Sequence, residues 1–322
     1  MGITRTIGLF WHRPNNRFAI HFAIFPLIVL ALLFSSLPSS HASKNGVERP
    51  NNSFAVGMTF KNDGVDEVCS GTLISPTFIL TAAHCIVNAK GEKHTDYIFT
   101  APGTTMEAAI NPATAPKILK TYMPSDFVIT QYLERNDTAF IQLDKPLATQ
   151  GWISIATPAD LATLTDGQAL KGYGFGFVYE SGNAYSNVLR EYAINWRAVA
   201  DLPNTKTVQV YSTTSTACSG DSGGSITFQL PSGKEVLLGN LSGAASVVNH
   251  CGTAGADGNY YMQVTIANQY LSLVQAELTK SLLPKPKVYK ITCLKVKTKK
   301  YLTGTSPKCP AGYKQIAKVQ LS

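Results

Sequence analysis

The pentapeptide Gly220-Asp221-Ser222-Gly223-Gly224, far downstream of Thr81-Ala82-Ala83-His84-Cys85, constrains the fold of this chain more than any other feature. A serine hydroxyl is a poor nucleophile unless a base takes its proton and oriented donors stabilise the charge that forms on the oxygen of the attacked carbonyl. Glycines on both sides of Ser222 let the backbone turn sharply and aim the Gly220 and Ser222 amides at one point. If the two stretches act together, the fold must bring distant parts of the chain into contact, with histidine supplied first and serine second.

The two ends differ from what lies between them. Residues 1–42 read as an export signal: Arg5, Arg13 and Arg17 form a basic leader, Phe18 to Phe34 is almost wholly apolar, and Ser40-His41-Ala42 puts small residues at the positions a signal peptidase reads. The apolar run is long for a signal core and short for a comfortable membrane span, and His21 and Pro26 weaken it further. A retained N-terminal anchor is the alternative. All six cysteines, Cys69, Cys85, Cys218, Cys251, Cys293 and Cys309, follow the leader. An even number in an exported chain suggests disulfides and an oxidising compartment. Nearest-neighbour pairing would give each segment its own staple, though sequence alone leaves the connectivity open. Zinc is the rival explanation, and no close Cys-x-x-Cys or His-x-x-x-His spacing supports it.

The formal charge of +8 is a misleading average. Eleven lysines and no acids lie between Lys280 and Ser322, whereas residues 43–279 carry 14 basic and 20 acidic groups. A mildly acidic body with a basic tail argues against nucleic-acid binding by the body and gives the tail a role of its own.

Residues 43–283 read as one domain of strands and turns with a helix at its end. Short runs such as Ser53–Phe60, Thr77–Ala82, Ala139–Leu143 and Val208–Thr213 are separated by turn clusters such as Asn62-Asp63-Gly64 and Ser181-Gly182-Asn183. This spacing predicts an all-β, antiparallel barrel or sandwich architecture rather than a parallel α/β sheet. Ile266, Tyr270, Leu271, Val274 and Leu278 recur at helical spacing, which predicts an amphipathic helix over 266–282. Pro284-Lys285-Pro286 then opens a linker, and 284–322 forms a separate tail in which a hairpin stapled by Cys293 and Cys309 is expected.

At this point the motifs resemble those of the trypsin- or chymotrypsin-like serine protease family across most of residues 43–279. Cys69-Ser70-Gly71-Thr72-Leu73 through Thr81-Ala82-Ala83-His84-Cys85 is similar to the family's histidine segment. Asn136-Asp137-Thr138-Ala139-Phe140-Ile141-Gln142-Leu143 is similar to its aspartate segment, and Cys218-Ser219-Gly220-Asp221-Ser222-Gly223-Gly224 to its serine segment. Gly172-Tyr173-Gly174 and Ser186-Asn187-Val188-Leu189 resemble the Gly-Trp-Gly and Ser-Asn-x-Leu pair between them. The resemblance implies two six-stranded antiparallel barrels and a secreted, bacterial-type serine endopeptidase. It also implies Ser222 as nucleophile, His84 as base, Asp137 as the acid that orients it, and the Gly220 and Ser222 amides as oxyanion hole. Asp126 and Asp144 are the other acids near Asp137. An α/β-hydrolase orders its triad Ser, Asp, His, and His250 follows Ser222 too closely to fit that order.

By the same resemblance Asp221 pairs with a freed N-terminal amine. No Arg-Ile-Val-Gly-Gly activation sequence is present, and Ser43, exposed by cleavage after Ala42, is the candidate partner. The base of the substrate pocket falls on Thr216, with Ser242, Gly243 and Ala244 in one wall and Gly258 to Tyr260 opposite. An uncharged base predicts small or apolar substrate side chains rather than basic ones. His94 and His250 read as solvent-facing loop residues, and Glu92, Asp96 and Glu107 are too scattered for a calcium site. The chemistry needs no cofactor and no metal. A protein or peptide is the expected substrate, and contact between the basic tail and an anionic cell envelope is the expected partner interaction. The tail itself resembles short lysine-rich, cysteine-paired ends of some secreted actinobacterial proteins. The competing reading is a catalytically inactive protease-like protein that serves binding or adhesion, against which stand the four intact residues His84, Asp137, Gly220 and Ser222.

Overall fold

The computed structural model describes residues 45–108, 114–130, 133–147, 151–178, 184–199, 206–283 and 289–321. The leader, its cleavage point and Ser43 lie outside the described residues. Strands β1 (Val47–Glu48), β2 (Ala55–Asn62), β3 (Val65–Ser75), β4 (Phe78–Thr81), β5 (Thr95–Phe99), β6 (Ile118–Tyr122), β7 (Val128–Thr130), β8 (Leu133–Arg135) and β9 (Ala139–Leu143) come first. Six of them form an antiparallel sheet in the order β5-β2-β3-β4-β9-β6. Strands β4 and β9 read as nearly unbroken apolar runs because both of their faces are covered. Ile79 of β4 and Ile141 of β9 point into a cluster with Val56, Met58, Leu73 and Phe99. Their neighbours Phe78, Leu80 and Phe140 point the other way, into a cluster with Phe175, Leu237 and Tyr270 of the second half.

The second half contributes β10 (Ala169–Gly174), β11 (Arg190–Asn195), β12 (Thr207–Ser212), β13 (Ser225–Gln229), β14 (Glu235–Ala244), β15 (Val247–Val248), β16 (Cys251–Gly252) and β17 (Tyr260–Ile266). Their sheet runs β1-β11-β10-β13-β14-β17-β12, and a pairing of Asn195 with Tyr211 brings β12 back to β11. The interior is filled by Tyr192, Trp196, Val210, Phe228, Leu238 and Val264. Tyr192 lies so close over Gly172 that a Cβ there would sit 2.2 Å from its ring, so only glycine fits beneath it. A short helix α1 (Pro158–Leu161) begins on a capping box made by Thr157 and Asp160.

The helix expected over 266–282 is divided. A 3₁₀ helix spans Ala267–Leu273 and α2 spans Gln275–Leu282, with Val274 between them at φ −131° and ψ 0°. The 3₁₀ spacing of three puts Ala267 and Tyr270 on one side, and the change of period at Val274 keeps Val274 and Leu278 buried there too. Among the described residues, no helix is long and apolar enough to cross a membrane.

The tail holds one strand more than the expected hairpin. Strands β18 (Tyr289–Lys295), β19 (Thr298–Gly304) and β20 (Lys314–Gln320) form an antiparallel sheet in the order β19-β18-β20. All three disulfides join nearest neighbours in sequence: Cys69–Cys85, Cys218–Cys251 and Cys293–Cys309.

Candidate active site

His84 sits on a single 3₁₀ turn, Ala83–Cys85, directly after β4. The Cys85–Cys69 disulfide ties that turn back to β3. Its last two carbonyls, which no helix continues to satisfy, are taken by side chains of His94, just before β5, and Tyr97, on β5. His94 Nε2 donates to the His84 carbonyl at 3.1 Å, and the Tyr97 hydroxyl donates to the Cys85 carbonyl at 2.9 Å. A carbonyl can only accept, so the proton of His94 belongs on Nε2. His94 is therefore not the solvent-facing loop residue the sequence suggests. It is buried, and its ring stacks on Phe60 with centroids 4.6 Å apart.

Asp137 lies between Asn136, whose φ of 57° makes the turn, and β9. The Asn136 amide oxygen accepts from the Tyr270 hydroxyl at 2.7 Å, so the second half of the chain braces the turn. The Asp137 carboxylate is 1% exposed and takes three donors: His84 Nδ1 at 2.8 Å, the His84 backbone N–H at 3.0 Å and the Ser242 hydroxyl at 2.6 Å. Asn240 Nδ2 donates to the Asp137 carbonyl at 2.9 Å. Burial by itself pushes this carboxyl up. The His84 imidazole, by charge and hydrogen bond, together with Ser242 and the His84 amide, brings it below the usual carboxylate range. The ionised group can only accept, so it holds the His84 proton on Nδ1 and leaves Nε2 with a lone pair.

Ser242, expected in the wall of the substrate pocket, has its hydroxyl turned to the aspartate. The register of β14 on β17 slips between Leu241 and Gly243, making Ser242 the extra residue of a bulge. A bulge re-aims its side chain, and here the hydroxyl meets Asp137. Gly243 and Ala244, beyond the bulge, are half-buried.

Ser222 is half-buried in a turn with Gly220 at φ 94° and Gly223 at φ 78°. A Cβ on Gly223 would meet Thr81 Oγ1 at 2.1 Å and the Ser70 carbonyl at 2.4 Å, so the turn is pressed against the histidine strand. Cys85 Sγ lies 3.7 Å from the Ser222 carbonyl oxygen. Ser70, which sequence reading passed over, is the hub of this contact. Its amide donates to the Ser222 carbonyl at 2.8 Å, its hydroxyl donates to the Gly220 carbonyl at 2.9 Å, and that hydroxyl accepts from the Phe175 amide at 2.9 Å. Among the described residues, no acceptor takes the Gly220 or Ser222 amide.

Asp221 is fully buried, and its carboxylate oxygens accept from the Gly176 and Cys218 amides, each at 2.8 Å. Its expected partner Ser43 falls outside the described residues. Thr216 is fully buried as well, and a Cβ on Gly252 would meet its hydroxyl at 2.1 Å and the Ala244 methyl at 3.0 Å. Residues Ala245–Cys251 form a hairpin of β15 and β16 turning at Asn249 and His250, both with positive φ. His250 is exposed, and its ring stacks on Phe177 with centroids 4.4 Å apart. Among the described residues, the one group with metal-ligand geometry is Cys69, His84 and Cys85, whose two sulfurs are bonded to each other.

A carboxylate–imidazole pair and a serine in a glycine turn, carried on two antiparallel sheets, are the layout of a serine hydrolase. The family model described as Trypsin matches residues 43–271, and the chain belongs to the trypsin family of serine endopeptidases. The chain is similar to the Suppressor of tumorigenicity 14 protein homolog of Bos taurus, with 26% identity over 196 residues. That match covers 56% of this chain and 22% of the relative. It is also similar to Serine protease SP24D of Anopheles gambiae, at 28% identity over 203 residues, covering 59% of this chain and 66% of the relative. In both cases the chain spans less than two thirds of the relative's length.

Proposed function

We propose that the protein is an active, exported serine endopeptidase whose two sheets act as a pair of six-stranded barrels with the site between them. The observation that carries this reading is the buried Asp137 carboxylate gripping His84 Nδ1 at 2.8 Å, since it leaves Nε2 as a base. Ser222 Oγ attacks the carbonyl carbon of the substrate peptide as His84 Nε2 takes its proton, and Asp137 stabilises the imidazolium. The Gly220 and Ser222 amides bind the oxyanion, a contribution in which loss of one donor typically costs roughly 10²–10³ in rate. His84 then delivers the proton to the leaving amine, and water releases the acyl group by the same steps in reverse.

The pocket base is Thr216, without charge, which favours small or apolar substrate side chains over lysine or arginine. The buried Asp221 anion is balanced by the α-amino group that cleavage after Ala42 would free on Ser43, so export and activation are one event. Full activity in a mature chain carrying two extra N-terminal residues would remove that step.

The test of the whole reading is an intact mass of the exported protein with a fluorophosphonate probe, which reacts with activated serines. One adduct, absent from Ser222→Ala, is expected. A folded, fully disulfide-bonded chain that takes up no probe would sink it in favour of an inactive protease-like scaffold.

A further inference from the structure

The C-terminal sheet carries an open, basic face that contributes no residue to the candidate active site. Residues 289–321 contain eight lysines and no aspartate, glutamate or arginine. Concentrating that much like charge opposes folding, and the segment offsets it with the Cys293–Cys309 disulfide and a small buried centre of Ile291 and Cys293. Strand register puts those two on one face, beside Leu302 and Lys300 of β19. The opposite face lies open. Register pairs Lys290 with Thr303 and Val319, Thr292 with Tyr301, and Leu294 with Lys299 and Lys314, so all of these project to that side. Tyr301 is 61% exposed and Val319 57%. Lys290 Nζ stands over the Tyr301 ring, 5.1 Å from its centroid, so a cation and an exposed aromatic ring share this face.

Charge complementarity requires an anionic partner, and the kind of charge narrows it. Lysine is a flexible point charge without the planar fork that reads base edges, and arginine is absent. A bilayer would reward basic and apolar groups gathered on one side. Here lysines also occupy the other face, at 295, 300 and 318, and the turns, at 297 and 308. Lysines on both faces leave no amphipathic side to insert into a bilayer, whereas the exposed Tyr301 ring, set among lysines on the open face, suits a polymer built of sugars. We propose that the open face of β18, β19 and β20 binds an acidic polysaccharide and holds the proteolytic domain to it. This assignment does not depend on the protease being active.

The experiment uses the full exported chain on polygalacturonate beads, with neutral dextran beads, phosphatidylglycerol vesicles and duplex DNA as comparisons. Retention on polygalacturonate that weakens steadily with added salt is expected, with none on dextran. Changing Lys290, Lys299 and Lys314 together to glutamine should lower affinity by at least about tenfold. The same change at Lys295, Lys297 and Lys308 should cost clearly less, and Tyr301→Ala should weaken polygalacturonate binding without changing its salt dependence. Glutamine is mild enough to spare the fold, which an intact third disulfide by mass would verify. Equal loss in the two triple variants would overturn the proposal of a face. Tighter binding to vesicles or DNA than to polygalacturonate would overturn the proposal of a polysaccharide.

Discussion

At the scale of single residues, the site depends on groups that hold other groups. His94 touches no substrate in the proposed chemistry, yet its Nε2–H fixes the carbonyl of His84 at 3.1 Å. A buried hydrogen bond broken on one side costs about 1–3 kcal/mol. His94→Ala should therefore lower stability by about that amount. Its effect on catalysis should fall on kcat, by about tenfold for each 1.4 kcal/mol of lost positioning, with KM steady. His94→Gln, whose amide can still donate, should recover part of kcat. Steady-state kinetics on a short peptide decides this, and an unchanged kcat in His94→Ala would make the residue merely structural. Asp137 supplies a pH signature. Its folded carboxyl titrates below its unfolded value of about 3.9, so the stability it contributes is present above that value and is lost as pH falls through the lower folded one. The gap in unfolding free energy between the native chain and Asp137→Asn should thus narrow from pH 4 toward pH 2 by urea denaturation. A gap that widened over that range would contradict the assignment.

At the scale of elements, the turn that presents Ser222 leaves no room for change. Gly223 combines φ 78° with a space in which a Cβ would stand 2.1 Å from Thr81 Oγ1. Gly223→Ala should cost about 2–4 kcal/mol and abolish probe labelling, as read by thermal unfolding and intact mass. Normal labelling would show that the turn and the histidine strand are not pressed together as described. Turns of this sort were legible in the sequence because their chemistry dictates residue types at fixed neighbours: Gly220 and Gly223 for the backbone, Ser222 for reactivity, Cys85 beside His84. The strands around them were legible for a related reason, since β4 and β9 lie between two apolar clusters and so carry nearly unbroken apolar runs. What the sequence hid depends on register. His94 is a polar residue in a stretch with no periodic cue, and it becomes buried once β5 pairs with β2 beside Phe60. Ser242 reaches Asp137 only through a one-residue bulge in β14. The periodic run over 266–282 shows which residues are buried but not that the period changes at Val274.

At the scale of the whole molecule, charge and architecture divide at the same place. No tail strand pairs into either large sheet among the described residues, and the helix α2 before the linker packs Leu278 into the cluster between the two halves. The core that supports the site is thus complete before the tail begins. A chain ending at Leu283 should fold, label with the probe, and cleave a short neutral peptide with kcat/KM within about twofold of the full chain, since long-range charge alone has little hold on an uncharged substrate at physiological salt. Its surface should behave as the opposite ion. The segment 284–322 supplies ten lysines and no acid, while 43–279 holds 14 basic groups against 20 acidic ones. Ion-exchange chromatography near neutral pH should hold residues 43–322 on a cation exchanger and residues 43–283 on an anion exchanger. Loss of peptide cleavage on shortening would mean that the tail completes the proteolytic site, and the separation of roles between body and tail would fall with it.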